Sequence, residues 1–168
     1  MSNKMNRAVA RLALLTFLVF AARVAIAKWD AYVPRTLQAV IDANQARVTA
    51  EAPHFLAADP YPTKARLVYD GRLQPIPAER YAFLAEYMGT IKGHADWART
   101  FTTEILCREG EARYWIPIQG PLVPRMGKEV APGDALDVYV TLVGARRKGS
   151  EVDWVFTINE FLPVTSAK

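Results

Sequence analysis

Phe101-Thr102-Thr103-Glu104-Ile105-Leu106-Cys107-Arg108 and Leu136-Asp137-Val138-Tyr139-Val140-Thr141-Leu142 decide how this chain folds. In both, apolar side chains recur at every second position, the period of a strand whose two faces meet different surroundings. Tyr114-Ile116-Ile118 against Arg113-Trp115-Gln119 repeats the pattern, and Glu109-Gly110 just before it predicts a hairpin turn. Val152-Trp154-Phe156-Ile158 alternates with Asp153, Thr157 and Asn159 after a polar connection running from Ala145 to Glu151. Pro132-Gly133-Asp134 reads as the turn that introduces the strand at Leu136.

Upstream of these strands the period lengthens to 3.6. Pro34 suits the first turn of a helix, and Leu37, Val40, Ile41 and Val48 recur at helical spacing up to Pro53. His54 to Thr63, with Asp59-Pro60-Tyr61-Pro62, reads as a loop, and Ala65 to Asp70 as a short strand closed by Asp70-Gly71. A second helix follows Pro77, with Tyr81, Leu84, Ala85 and Met88 on one stripe and Gly89 as its stop. Lys92 to Arg99 continues it irregularly. Four or five short strands are too few for a stacked sandwich and should curl on themselves. The expectation is an α+β fold, with amino-terminal helices packed on a small carboxy-terminal four- or five-stranded antiparallel β-barrel, OB-like or SH3-like. Residues 28–100 would be a mainly helical layer with one short strand, and residues 101–162 the barrel.

Residues 1–27 read as an export signal. Lys4, Arg7 and Arg11 precede an apolar run from Leu12 to Ala22, and Ala25-Ile26-Ala27 offers the small residues a signal peptidase reads. The run is interrupted by Arg23 and falls short of the ~20 apolar residues of a spanning helix, so cleavage is favoured over a permanent anchor. The whole chain has 21 Lys+Arg, 17 Asp+Glu and a net charge of +4. Four of those basic residues and none of the acidic ones lie in the leader, which leaves residues 28–168 neutral. Neutrality argues against nucleic acid as a partner. The expected location is periplasmic or secreted, with the inner membrane as the alternative if the leader stays attached. Residues 28–168 hold all four Trp and all seven Tyr, enough for one core, and Cys107 is the only cysteine, so no internal disulfide staples it.

Signatures of catalysis are sparse. Cys107 alternates with Phe101 and Ile105 and reads as a buried structural thiol rather than a nucleophile. His94-Ala95-Asp96 is two ligands short of a closed zinc site. No Gly-x-Ser-x-Gly elbow exists. Gly120 to Lys128 departs from a phosphate loop in spacing, carries Pro121 and Pro124, and has Glu129 where a hydroxyl residue would hold magnesium. Arg146-Arg147-Lys148 reads as a solvated hairpin tip. No cofactor and no metal is expected.

Two features remain as binding elements. Trp115 stands on the opposite face from Tyr114, Ile116 and Ile118; either the helices cover it or it is a stacking platform guided by Arg113 and Gln119. Glu160 continues the parity of Trp154, Phe156 and Ile158, which turns a carboxylate inward unless the strand ends or bulges there. Burial would then demand an arginine such as Arg113 or Arg125. With Lys128 and Glu129 folding back from the Gln119 to Pro132 loop, the candidate ligand-binding residues are Arg113, Trp115, Gln119, Lys128, Glu129 and Glu160. The favoured function is a non-enzymatic exported domain that binds a cell-envelope protein, peptide or glycan. Its alternatives are a small periplasmic hydrolase or isomerase using Glu129, Asp134 or Glu160 with His94 as base, and a signal-anchored component of an inner-membrane assembly.

Overall fold

The computed structural model describes residues 29–58, 61–91 and 95–164. The chain divides into two units, Met1–Tyr32 and Val33–Lys168. Of the first, only 29–32 are described: a turn in which the Tyr32 N–H donates to the Trp29 carbonyl at 3.0 Å, with the two rings tilted and 5.5 Å apart. The leader and His94 lie outside the described residues. No described helix is long and apolar enough to cross a membrane.

The described residues of the second unit mix α and β, with seven strands in one sheet and three helices interspersed among them. That corrects the expected amino-terminal helical layer. Strand β1 (Val33–Pro34) runs parallel to the start of β3, so Pro34 is in a strand rather than a first helical turn. Helix α1 (Leu37–Asn44) starts later, where the Thr36 hydroxyl accepts the Ala39 N–H at 3.0 Å. It buries Leu37, Val40 and Ile41. The segment read as a loop after Pro53 contains an edge strand, β2 (His54–Leu56), paired with Gly144 to Arg146.

Strand β3 (Thr63–Pro75) does not stop at Asp70-Gly71. It bulges there, with its register to the next strand shifting between Tyr69 and Leu73. Gly71 carries the bend at φ +79°, and a Cβ on it would lie 2.7 Å from the Pro132 ring. The strand therefore pairs with β6 (Ala135–Lys148) through its first half and with β4 (Phe101–Glu109) through its second. Helix α2 (Ala78–Thr90) is inserted between β3 and β4, and its buried stripe is Phe83, Leu84, Tyr87 and Met88.

β4 and β5 (Ala112–Gln119) form the expected hairpin. The presumed loop after Gln119 is a 3-10 turn (Gly120–Leu122) followed by helix α3 (Val123–Glu129), which seats Leu122 and Met126 on the core. Pro121 and Pro124 sit in the first turns, where proline costs no hydrogen bond. β6 and β7 (Glu151–Pro163) make the longest hairpin; both run beyond the predicted strands, so that the polar connection shrinks to Gly149-Ser150.

The pairings run β3–β4–β5, pass to β7 through one parallel pair, Ile118 with Ile158, and return through β6 to β3. Inward-facing Leu67, Ile105, Cys107, Ile116, Val138 and Phe156 are fully buried and fill this circuit. Two bulges adjust β6 and β7: Val143 is extra on one and Asn159 on the other. Beyond Asn159 the alternation reverses, so Phe161 is buried and Glu160 is turned away from the parity of Ile158.

Candidate functional site

Partners directly across a sheet share a face. Gln74 with Glu104, Glu104 with Pro117, and Leu106 with Trp115 therefore stand together on one side of β3, β4 and β5. Leu106 and Trp115 make that side too apolar to lie in water, and the start of α2 packs beside it. The result is a cleft of about 370 Å³ between α2, the outer face of β4 and β5, and the β6–β7 hairpin. Trp115, half-buried, lines it with Pro77, Val152 and a set of charged groups.

Glu104 is wholly buried and is the centre of that set. Its Oε1 accepts from Gln74 Nε2 and its Oε2 from Arg80 Nη1, both at 2.6 Å. Arg80 Nη1 also lies 3.4 Å from the Trp115 carbonyl oxygen, and Nη2 donates to Asp153 at 2.8 Å. Its Nε is buried and has no acceptor. Burial alone would lower the pKa of Arg80, but Asp153 and Glu104 outweigh it and hold the guanidinium above its ordinary value. Asp153 also accepts from Arg146 through Nε at 3.1 Å and Nη2 at 2.9 Å. At the cleft mouth Lys148 donates to Glu79 at 2.5 Å, and this bond with the charges of Lys148 and Arg146 depresses the Glu79 pKa. Arg80 thus joins β4, β5 and β7 where β5 and β7 have ceased to pair.

Of the residues expected from sequence, Trp115 alone lines this cleft. Arg113 is exposed on β5 and makes no ion pair among the described residues. Gln119 donates to Asn159 at 3.3 Å, and Asn159 donates to Thr141 at 2.9 Å. Glu129 and Glu160 do meet: Arg125 reaches Glu129 at 3.2 Å and Glu160 at 2.7 Å, and its Nη2 also donates to the Phe161 carbonyl at 2.6 Å. Hydrogen bonding to Glu160 leads the causes that raise the Arg125 pKa. Lys128 is exposed on α3. Asp134 accepts from the Ala131 N–H at 2.7 Å within the turn before β6.

Arg146 corrects the solvated reading of its basic run, because its side chain is only 17% exposed and spans Asp153 and Glu79. Cys107 is fully buried, and burial pushes its thiol from 9.0 up to about 12. Sequence reasoning missed Arg80, Glu104, Arg146 and Asp153. A signal existed in Glu104 itself, which shares a strand face with Leu106. Among the described residues no three metal-ligating side chains come together.

Comparison with known proteins finds no family model that matches the chain and no significant similarity to a curated protein.

Proposed function

We propose that this chain is an exported, non-enzymatic binding domain of the cell envelope, and that it holds a glycan on Trp115. The strand circuit from β3 through β4, β5, β7 and β6 is taken as an OB-like barrel, which its order and its parallel β5–β7 contact favour. Barrels of that kind take oligosaccharides and oligonucleotides on the face of their second and third strands, the places that β4 and β5 hold here. This is analogy of fold and adds weight without assigning a ligand.

The carrying observation is the half-buried indole in a cleft that it shares with Pro77 and Val152 and with amide, carboxylate, ammonium and guanidinium groups. An indole stacks on the apolar face of a sugar ring, and mixed donors and acceptors suit its hydroxyls. The carboxylates of Glu79, Glu104 and Asp153 already accept from basic or amide side chains, which favours a binding role over proton transfer. The leader supports export. Cell fractionation with mass spectrometry of the amino terminus, followed by calorimetry against envelope oligosaccharides, tests the reading. The expected result is a chain beginning at Lys28 outside the cytoplasm, with sugar affinity falling at least tenfold in Trp115→Ala. An unprocessed cytoplasmic chain, or affinity indifferent to Trp115, overturns it.

A further inference from the structure

Beyond Trp115, away from the carboxylates, the same face of the sheet carries an imbalance of charge. Arg108 on β4 and Arg113 on β5 are direct cross-strand partners, one step along from Leu106 and Trp115. Like charges placed opposite one another destabilise a sheet unless something neutralises them. The neighbouring acid is Asp70 in the β3 bulge, 3.3 Å from Arg108 and shared with Arg72 at 3.7 Å. Arg72 in turn lies over the Trp115 ring, its guanidinium carbon 5.6 Å from the centroid. Two guanidinium groups thus share one carboxylate near the indole, and the third, Arg113, stands directly across from Arg108. The side chains of Arg72 and Arg108 are 57% and 39% exposed, and Arg113 is exposed and makes no ion pair among the described residues. Glu111, at the hairpin tip, makes none either.

We infer that the ligand on Trp115 is an acidic sugar chain, whose oxyanion is received by Arg72, Arg108 and Arg113. The inference rests on the glycan reading above and narrows it. Guanidinium forks match carboxylate and phosphate oxygens in pairs, and an arginine already stacked near an aromatic ring is pre-oriented to do so. The cleft on the other side of Trp115 is lined by Glu79, Glu104, Glu151 and Asp153. Arg80, Arg146 and Lys148 line it too and already pair with Glu79, Glu104 and Asp153, so a polyanion that continued past the indole would find no excess of positive charge there, which disfavours a nucleic acid strand. A sugar chain with its oxyanion at the arginine end and hydroxyls at the carboxylate end is complementary to both.

The test is calorimetry on the exported protein with four probes: a galacturonate disaccharide, a galactose disaccharide bearing a phosphate, neutral galactobiose, and a short oligothymidylate. Both or either of the acidic sugars should bind at least tenfold tighter than the neutral one, with affinity falling as salt rises. Which of them binds better identifies the oxyanion as carboxylate or phosphate. Arg113→Gln and Arg72→Gln, exposed positions whose thermal unfolding should match the parent, should bring acidic-sugar affinity down to the neutral level. Equal binding of acidic and neutral sugars, a preference that survives both substitutions, or oligothymidylate binding tighter than every sugar overturns the inference. If Trp115→Ala weakens all sugars alike while acid confers no advantage, the glycan reading stands and this inference alone falls. If no sugar binds, both fall.

Discussion

Arg80 and Glu104 show how residues that read as solvated in the sequence can be central in the fold. Alternation along β4 assigns Glu104 to the face opposite Phe101 and Ile105, and a carboxylate on an outward face reads as solvated. It is buried beneath Gln74 of β3 and Arg80, which reaches in from the start of α2, and a helix joining two strands carries no mark of which face its arginine will meet. Trp115 was legible because a large ring on the supposed outer face already conflicted with exposure. Arg125, one of the two arginines named for Glu160, does pair with it, although the bulge at Asn159 turns the carboxylate away from the inward parity on which that expectation rested. Removing one member of a buried ion pair strands the other, at a cost of about 3–5 kcal/mol. Arg80→Met should therefore lower stability by about that much in urea unfolding, and adding Glu104→Met should recover a substantial part. A double variant no more stable than the single one would show that Glu104 is not stranded by the loss of Arg80.

At the scale of elements, β4, β5, β6 and β7 were readable because each alternates over six or more residues. β2 was not, since three residues directly after Pro53 carry too short a pattern, and its pairing comes from β6 rather than from its own sequence. The length of β3 was hidden by Asp70-Gly71, a pair that signals a turn but here makes a bulge. α3 was hidden by Pro121, Pro124 and Gly127, residues that usually mark loops and are tolerated because the two prolines occupy first turns. The close approach of β2 to β6 depends on Gly144. A Cβ there would lie 2.1 Å from the Phe55 carbonyl oxygen and 3.1 Å from the edge of the Phe83 ring. Backbone cannot yield as a flexible side chain does, so Gly144→Ala should cost about 3 kcal/mol. Chemical denaturation measures it; a change below about 0.5 kcal/mol, the range of an ordinary surface substitution, would mean that β2 is free to move aside.

For the whole molecule, the circuit of strands is unevenly fastened. β6 and β7 pair over almost their full lengths, while β5 and β7 meet through Ile118 and Ile158 alone among the described residues. Before that point β5 has a strand neighbour only in β4, and the gap is spanned by the side chain of Arg80. Local opening costs least where few backbone bonds and little buried apolar surface must be given up. Hydrogen–deuterium exchange should therefore be fastest, within the strands of the circuit, at Ala112 to Trp115 of β5, and slowest in the middle of β6. Uniform protection around the circuit would contradict this. A loop of cloth with one weak stitch parts at that stitch while the rest keeps its weave: opening between β5 and β7 should leave the order of every other strand intact.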